Sequence, residues 1–199
     1  MTTKVPARGR PREFDLEVAL TAGQRLFHAH GYEAVGIAAL TEELGIKPPS
    51  FYKAFGSKAA YFERILSRYS DSVLPLGEIL RPGRSVREVL SDLLEQAART
   101  YGEDAQLRGC LVLECARGSA EDESVILARR KAEVRRRQVR RFVARENRLA
   151  AKEVSDYVAT VMSGLSASAR EGMSVARLVA VARAASPGIG LLMAVGTKS

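Results

Sequence analysis

Residues 37–58 read IAALTEELGIKPPSFYKAFGSK and predict two short helices joined by a tight turn. The first helix is expected over residues 37–44 and the second over residues 48–55, because apolar side chains recur in both at spacings of three and four. Gly45 opens the turn, and Pro48 suits a first helical turn, where its missing N–H has no partner. This pattern is typical of a helix-turn-helix, whose second helix can enter the major groove of DNA.

A longer helix is expected on each side of this motif. Residues 12–30 place apolar side chains on one stripe, and Gly31 can supply the left-handed residue that ends the helix. Ser57 is a good N-cap for a fourth helix that extends towards Leu74. The sequence therefore predicts a head over residues 1–68, built on the first three helices and connected to the rest by the fourth.

Residues 69–199 are predicted to form a separate helical body. Ser85 and Glu88 make a capping box after a linker rich in glycine and proline. Almost no window alternates in polarity as a half-buried strand does, so the fold class is all-α, a helix-turn-helix head followed by a helical-bundle body. Further helices are expected over residues 110–117, 122–150, 152–170 and 174–185, with Gly118, Gly172 and the pair Pro187-Gly188 as breaks.

An ordered set of residues in the head resembles the N-terminal signature of the TetR repressor family. The resemblance covers residues 12–66 and implies a DNA-binding transcriptional regulator, in the first place a repressor. It also implies a homodimer that a small effector releases from double-stranded operator DNA, with no cofactor. The residues that carry it are Leu26-Phe27, Gly31-Tyr32, Leu44-Gly45-Ile46, Phe51-Tyr52, Phe55 and Ser57-Lys58.

The chain departs from the family pattern at positions that bear on DNA contacts. Val35 and Gly36 stand where the family usually places Thr or Ser as a cap and phosphate contact. Pro49 replaces a small residue in the recognition helix, and Lys53 replaces a frequent His. The operator sequence therefore cannot be carried over from the family.

The candidate DNA contacts are polar and basic side chains on and around the recognition helix. Hydroxyl and ammonium groups hold phosphates, while outward residues near the start of the helix meet base edges. Lys58 follows the Ser57 cap, so its ammonium and the free N–H groups of the fourth helix can share one phosphate; the alternative is a solvated lysine. A basic arm before the first helix is either a minor-groove contact or a solvated tail. The predicted contacts are Arg10, Arg12, Lys47, Ser50, Tyr52, Lys53 and Lys58.

Positive charge is concentrated in the body rather than in the head. The formal net charge of the chain is +8, and residues 129–148 carry ten Lys or Arg against two Glu. A basic helix can follow nucleic acid or an anionic membrane, but an apolar stripe runs through this one, so a solvated charged face is the simpler interpretation. Arg135 falls within that stripe, where it must pair with a carboxylate or face a cavity.

The body is expected to hold both an effector cavity and the dimer interface. Its candidate lining residues are mostly aliphatic, which predicts a small, largely apolar ligand. Small residues beside a valine stripe on the penultimate helix would allow close approach of a second subunit. The predicted effector contacts are Tyr101, Leu111, Arg135, Phe142, Tyr157 and Val161, and the predicted interface residues are Val154, Val158, Val161, Gly164, Leu165 and Ser168.

Catalytic and metal sites find little support in the sequence. Ser50 and Lys53 match a Ser-x-x-Lys nucleophile pattern, but the companion motifs of penicillin-binding enzymes are absent from the sequence. His28 and His30 stand two residues apart on a helix and point to different sides, so no metal site is expected. A helical ligand-binding or adaptor protein without operator binding is the alternative, and a gel shift separates the two.

The expected location is the cytoplasm, with no membrane partner. No apolar stretch reaches the roughly 18 uninterrupted residues of a membrane span, and no signal region follows the N-terminus. Cys110 and Cys115 are too few for a disulfide framework and fit a reducing compartment. Sensing of oxidants by these thiols and simple burial as small apolar side chains are both open, burial being the commoner fate.

Overall fold

The computed structural model describes residues 15–194, and these form helices without a β-strand. The prediction of an all-α fold is confirmed. The helices are α1 (Leu16–His30), α2 (Ile37–Glu43), α3 (Pro48–Phe55), α4 (Lys58–Val73), α5 (Leu76–Ile79), α6 (Val86–Glu103), α7 (Leu111–Cys115), α8 (Glu123–Val143), α9 (Ala151–Arg170) and α10 (Val175–Met193).

Aromatic side chains build the core of the head formed by α1 to α4. The ring of Tyr61 on α4 packs against Phe51 and Phe55 of α3, with centroid separations of 5.3 and 4.2 Å. Phe27 of α1 meets Phe62 of α4 edge to face at 5.0 Å. All five side chains are at most 2% exposed, so burial of their large apolar surfaces fixes α1 and α3 against α4.

The body packs α6, α8, α9 and α10 around an aliphatic core. Its first long helix, α6, begins at Ser85, where the predicted capping box with Glu88 is present. Leu90, Leu93 and Leu94 on α6 are fully buried. The central position of α6 follows from its contacts with both α9 and α10.

Several predicted helix boundaries are wrong: α1 begins at Leu16 after the Asp15 N-cap, and two helices of the body end elsewhere than expected. Pro187 lies inside α10, which continues to Met193 because Ile189 is fully buried and keeps the last turns packed on the body. In contrast, α8 ends at Val143 rather than near residue 150. The Asn147 side chain accepts hydrogen bonds from the backbone N–H groups of Leu149 and Ala150, which turns the chain into α9.

The head contacts the body through the end of α1 and through α4. The Arg170 guanidinium on α9 donates a 2.9 Å hydrogen bond to the backbone carbonyl of His28 at the end of α1. The His28 ring lies 3.2 Å from the carbonyl oxygen of Arg108. The C-terminal half of α4 extends into the body, where it packs on α7 and α8.

Candidate DNA interface and effector cavity

The turn between α2 and α3 sets the position of the recognition helix. Gly45 has φ +63°, a left-handed conformation that favours glycine. The backbone N–H of Ile46 donates to the carbonyl of Thr41 at 3.0 Å, which closes the turn. The predicted helix-turn-helix is present, and buried Phe51 and Phe55 hold α3 against α4 from its inner face.

Four of the predicted DNA contacts are exposed on α3 or at its N-cap. Lys47, Ser50, Tyr52 and Lys53 are all exposed, and the Tyr52 side chain is 49% exposed. All four residues are therefore accessible on α3 or, for Lys47, at its N-cap. Hydroxyl, phenol and ammonium groups at such positions match the donors that DNA phosphates and base edges accept.

Lys58 is placed differently from the other four. Its Nζ lies 3.9 Å from the centroid of the Tyr32 ring, and the side chain is half-buried at the start of α4. Burial lowers the pKa of Lys58, with Glu33 and Glu123 opposing that shift. Lys58 is the first residue of α4, directly after the Ser57 N-cap. Arg10 and Arg12 lie outside the described residues.

A cavity of about 520 Å³ opens in the body beside the end of α4. Its walls come from α4, α5, α6, α7, α8 and α9, and most of the lining side chains are apolar. Leu76 and Leu93 close one side, and Val139, Val158 and Met162 line the walls of α8 and α9. A concave apolar site of this size can bury a small organic molecule.

A small polar cluster faces this cavity from α4, α6 and the start of α7. Tyr69, Tyr101 and Cys110 all line it and are nearly inaccessible to solvent. The Tyr69 hydroxyl accepts a 3.3 Å hydrogen bond from the backbone N–H of Leu111. Burial raises the pKa of the Cys110 thiol and raises that of Tyr101 well above its ordinary value, so both groups are neutral near pH 7.

Arg135 is the second predicted effector contact that lines the cavity, with Tyr101. Its Nη1 donates to the carbonyl of Ser70 and its Nη2 to the carbonyl of Leu74, both at 2.7 Å. The sequence prediction offered a carboxylate partner or a cavity position. The observed partners are instead backbone carbonyls at the end of α4, and the side chain lines the cavity as well.

Four predicted effector contacts lie outside the lining of this cavity, which corrects the sequence prediction. Phe142 is two helical turns beyond Arg135 on α8 and borders a smaller cavity of about 240 Å³. The Tyr157 hydroxyl donates to the carbonyl of Ala185 at 3.0 Å, so this ring faces α10. Leu111 is buried at the start of α7, and Val161 is half-buried on α9.

The predicted dimer stripe on α9 also needs correction. Val154, Val158 and Leu165 are at most 2% exposed within a single chain, so they have no surface left for a second subunit. Their stripe faces the core of the body because α9 packs on α6, α8 and α10. The exposed Gly164 and the half-buried Val161 and Ser168 keep accessible surface.

Most of the residues that line the cavity were not predicted from the sequence. Tyr69 extends the buried stripe of α4 by four residues from Ile65, and this spacing was the available signal. Arg117, Arg129 and Arg136 line the cavity with long side chains from short or highly charged segments. The sequence alone gave no indication of which face of these segments points inward.

The fold and the exposed face of α3 define a DNA-binding protein of the helix-turn-helix class. Residues 19–65 match the family model for bacterial regulatory proteins of the tetR family. The chain is 42% identical over 192 residues to the HTH-type transcriptional repressor BdcR of Escherichia coli K12. The matched region covers 95% of this chain and 97% of BdcR. The repressor ComR of the same organism is 29% identical over 189 residues, covering 88% of this chain and 89% of ComR.

Solved structures give the same result. A cysteine mutant of the TetR family regulator CifR, in complex with 26-base-pair operator DNA, is 33% identical and superimposes with a TM-score of 0.79, covering 89% of this chain and 98% of CifR. The chain therefore belongs to the TetR family of transcriptional regulators. It is a DNA-binding regulator with a repressor role, and its partner is double-stranded DNA.

Proposed function

We propose that this repressor binds its operator as a homodimer and leaves it when a small molecule occupies the cavity beside α4. The observation that carries this proposal is the position of α4. Near its N-terminus Tyr61 packs on the recognition helix, and near its C-terminus Tyr69 and Leu74 line the cavity. A ligand that moves the end of α4 thus has a direct mechanical route to α3.

A homodimer is supported by the outer face of α10. Only 22% of the Val175–Met193 window is buried within one chain, although this helix is apolar and long enough by composition alone to cross a membrane. A second copy of the chain would cover this surface, and pairing of α9 and α10 with their symmetry mates would give a four-helix interface. The exposed face of α10 contains Arg177 and the apolar residues Ala176, Ala180, Val181, Ala184, Pro187 and Leu191.

Dimerisation would also set the spacing of the two recognition helices. Two helix-turn-helix units read successive major grooves when they are about 34 Å apart. An effector can lower operator affinity only if it binds more tightly to a body conformation with another spacing. We assign the DNA contacts to Lys47, Ser50, Tyr52 and Lys53, with Lys58 at the start of α4, and place the regulator in the cytoplasm.

The test is a gel shift with DNA flanking the gene of the repressor itself. Small molecules would first be selected for thermal stabilisation of the protein and then added to the operator complex. Stabilising molecules should dissociate the complex, and a variant that fills the cavity, Ala132→Phe, should lose both effects while retaining operator binding. Stabilisation without release of DNA would contradict the proposed induction.

A further inference from the structure

Arg135 holds the last turn of α4 from the wall of the cavity. Its two hydrogen bonds end on the carbonyls of Ser70 and Leu74, where α4 terminates. Carbonyls at a helix C-terminus carry partial negative charge and attract a cation. The guanidinium therefore acts as a latch between α8 and the helix that connects head and body.

The positive charge of this latch is not neutralised by a carboxylate. Within residues 15–194, no acidic side chain lies within 4 Å of the guanidinium of Arg135 or of Arg129, which donates to the carbonyls of Ala116 and Gly118. Arg117 and Arg136 also line the cavity, and Glu133 is the acidic residue among its described lining. Arg117 is paired with Glu114 at 3.7 Å and Arg136 with Asp156 at 3.6 Å, so among the described lining residues Arg129 and Arg135 are the arginines without a carboxylate partner.

Further hydrogen-bond donors lie close to this guanidinium. Arg135 is near enough to influence the hydroxyls of both Tyr69 and Tyr101 electrostatically, and both rings line the cavity. Away from this cluster the cavity surface is mainly aliphatic. A guanidinium that has no carboxylate partner and lines a cavity with mostly apolar walls matches a monoanionic carboxylate on an apolar body.

We propose that the effector is a small apolar carboxylic acid whose carboxylate is bound by Arg135. This proposal rests on the function proposed above, in which the cavity holds the effector. A carboxylate carries a full charge and can bind a guanidinium through two parallel hydrogen bonds, so it competes with the neutral carbonyls of Ser70 and Leu74. Binding then releases the last turn of α4, and the anion exerts its effect on the head through that helix.

The ligand class is tested with acids and their uncharged amides. Octanoate and octanamide form one pair, and 4-phenylbutyrate and its amide form the second, each titrated calorimetrically into the full-length protein at pH 7.5. At least one acid should bind about tenfold more tightly than its amide, as a charge-assisted pair replaces a neutral contact. Equal affinities within both pairs, or no binding by either acid at millimolar concentration, would overturn the proposal.

Two variants test whether Arg135 causes the preference for the acid over its amide. Arg135→Gln removes the guanidinium and should reduce the preference for the acid to less than about twofold. Arg130→Gln is the matched control, because Arg130 is an exposed residue of the same helix that does not line the cavity; it should keep the wild-type preference. An acid preference that survives in Arg135→Gln would exclude Arg135 as the anchor.

The latch itself is tested in the wild-type protein, independently of how well the variants fold. Binding of the preferred acid should speed amide hydrogen exchange over residues 70–76, because the last turn of α4 loses its arginine contacts. Unchanged or slower exchange there would contradict the proposal that the carboxylate competes with the carbonyls of Ser70 and Leu74 for Arg135. If the acid binds through Arg135 and loosens α4 while the operator complex persists, the ligand class stands and the proposed induction fails.

Discussion

Gly23 on α1 lies directly against the ring of Tyr61 on α4. A Cβ at position 23 would stand 2.6 Å from two ring carbons, and the Tyr61 hydroxyl is held in place by a 2.5 Å hydrogen bond to the carbonyl of Ala19. Gly23→Ala should lower the free energy of unfolding by roughly 1–3 kcal/mol, since the ring cannot move without breaking that bond. Urea unfolding at fixed protein concentration measures the change.

A second glycine provides the control for this substitution. Gly77 in α5 has open space around the position that a Cβ would take and no positive φ. Gly77→Ala should therefore leave the unfolding curve unchanged or shift it to slightly higher urea. Equal effects of the two substitutions would mean that the contact between α1 and α4 is looser than the structure indicates.

Protonation of His28 should make the free energy of unfolding depend on pH in the acidic range. Burial lowers the pKa of His28 from 6.5 to about 4, the Arg170 charge adds to the shift, and Asp104 and the hydrogen bond to Arg108 oppose it. Between these two pH values the unfolded chain binds the extra proton, so the free energy of unfolding falls as the pH falls. The loss reaches at most about 3 kcal/mol near pH 4.

The measurement compares unfolding curves at pH 7 and pH 5 for two histidine variants. His28→Gln should depend on pH less steeply than the wild type, because the titrating group is gone. His30→Gln changes an exposed residue two positions away and should retain the effect of His28. A wild-type slope in His28→Gln would show that other groups cause the acid sensitivity.

Local patterns predicted the head well, because its structure depends on short-range signals. The Ser57 cap and Gly45 in the turn each act within a few residues, and Phe51 and Phe55 of α3 are buried. The exposed face of α3 follows once Phe51 and Phe55 face inward, since a helix with one buried side leaves the opposite side in solvent.

The body was harder to predict because its helices pack on several neighbours. The valines of α9 form a genuine stripe, but a stripe does not reveal whether it faces the same chain or a second one; Val154 and Val158 face their own core. Pro187 signals a helix end in isolation, whereas tertiary packing keeps α10 intact beyond it. The partners of Arg135 come from α4, 61 and 65 residues away in the sequence, and no local pattern encodes such contacts.

The outer face of α10 should control the oligomeric state. Val181 is 49% exposed on this face, and Val134 on α8 is 43% exposed, so the two valines form a matched pair. Val181→Arg would bury a charge without a partner in the proposed interface and should shift the protein to monomers at micromolar concentration. Light scattering after gel filtration measures the mass; Val134→Arg should keep the wild-type mass.

Lys58 should contribute to affinity for DNA without selecting the sequence. Lys58 is the first residue of α4, and its ammonium lies over the Tyr32 ring; a phosphate bound at the start of α4 would meet both this charge and free N–H groups of the helix. Lys58→Ala should weaken binding to every sequence alike and lower the salt slope of log K by about one unit. Lys152→Ala, an exposed lysine of the body paired with Asp156, should leave both quantities unchanged. An unaltered slope in Lys58→Ala would mean that the ammonium stays with its partners in the protein and does not contact DNA.

Lys53 should instead affect the choice of operator. It lies on the exposed face of α3 one residue after Tyr52, and no part of the described chain covers it. A lysine that reaches a base edge in the major groove prefers guanine, whose O6 and N7 both accept hydrogen bonds. Lys53→Ala should therefore lower affinity for the natural operator by about 1–3 kcal/mol while relaxing discrimination at one base pair in each half-site. Competition gel shifts against operators randomised at single positions measure both effects, with Lys58→Ala as the comparison that loses affinity but not discrimination. A uniform loss across all operators would reassign Lys53 to the phosphate backbone.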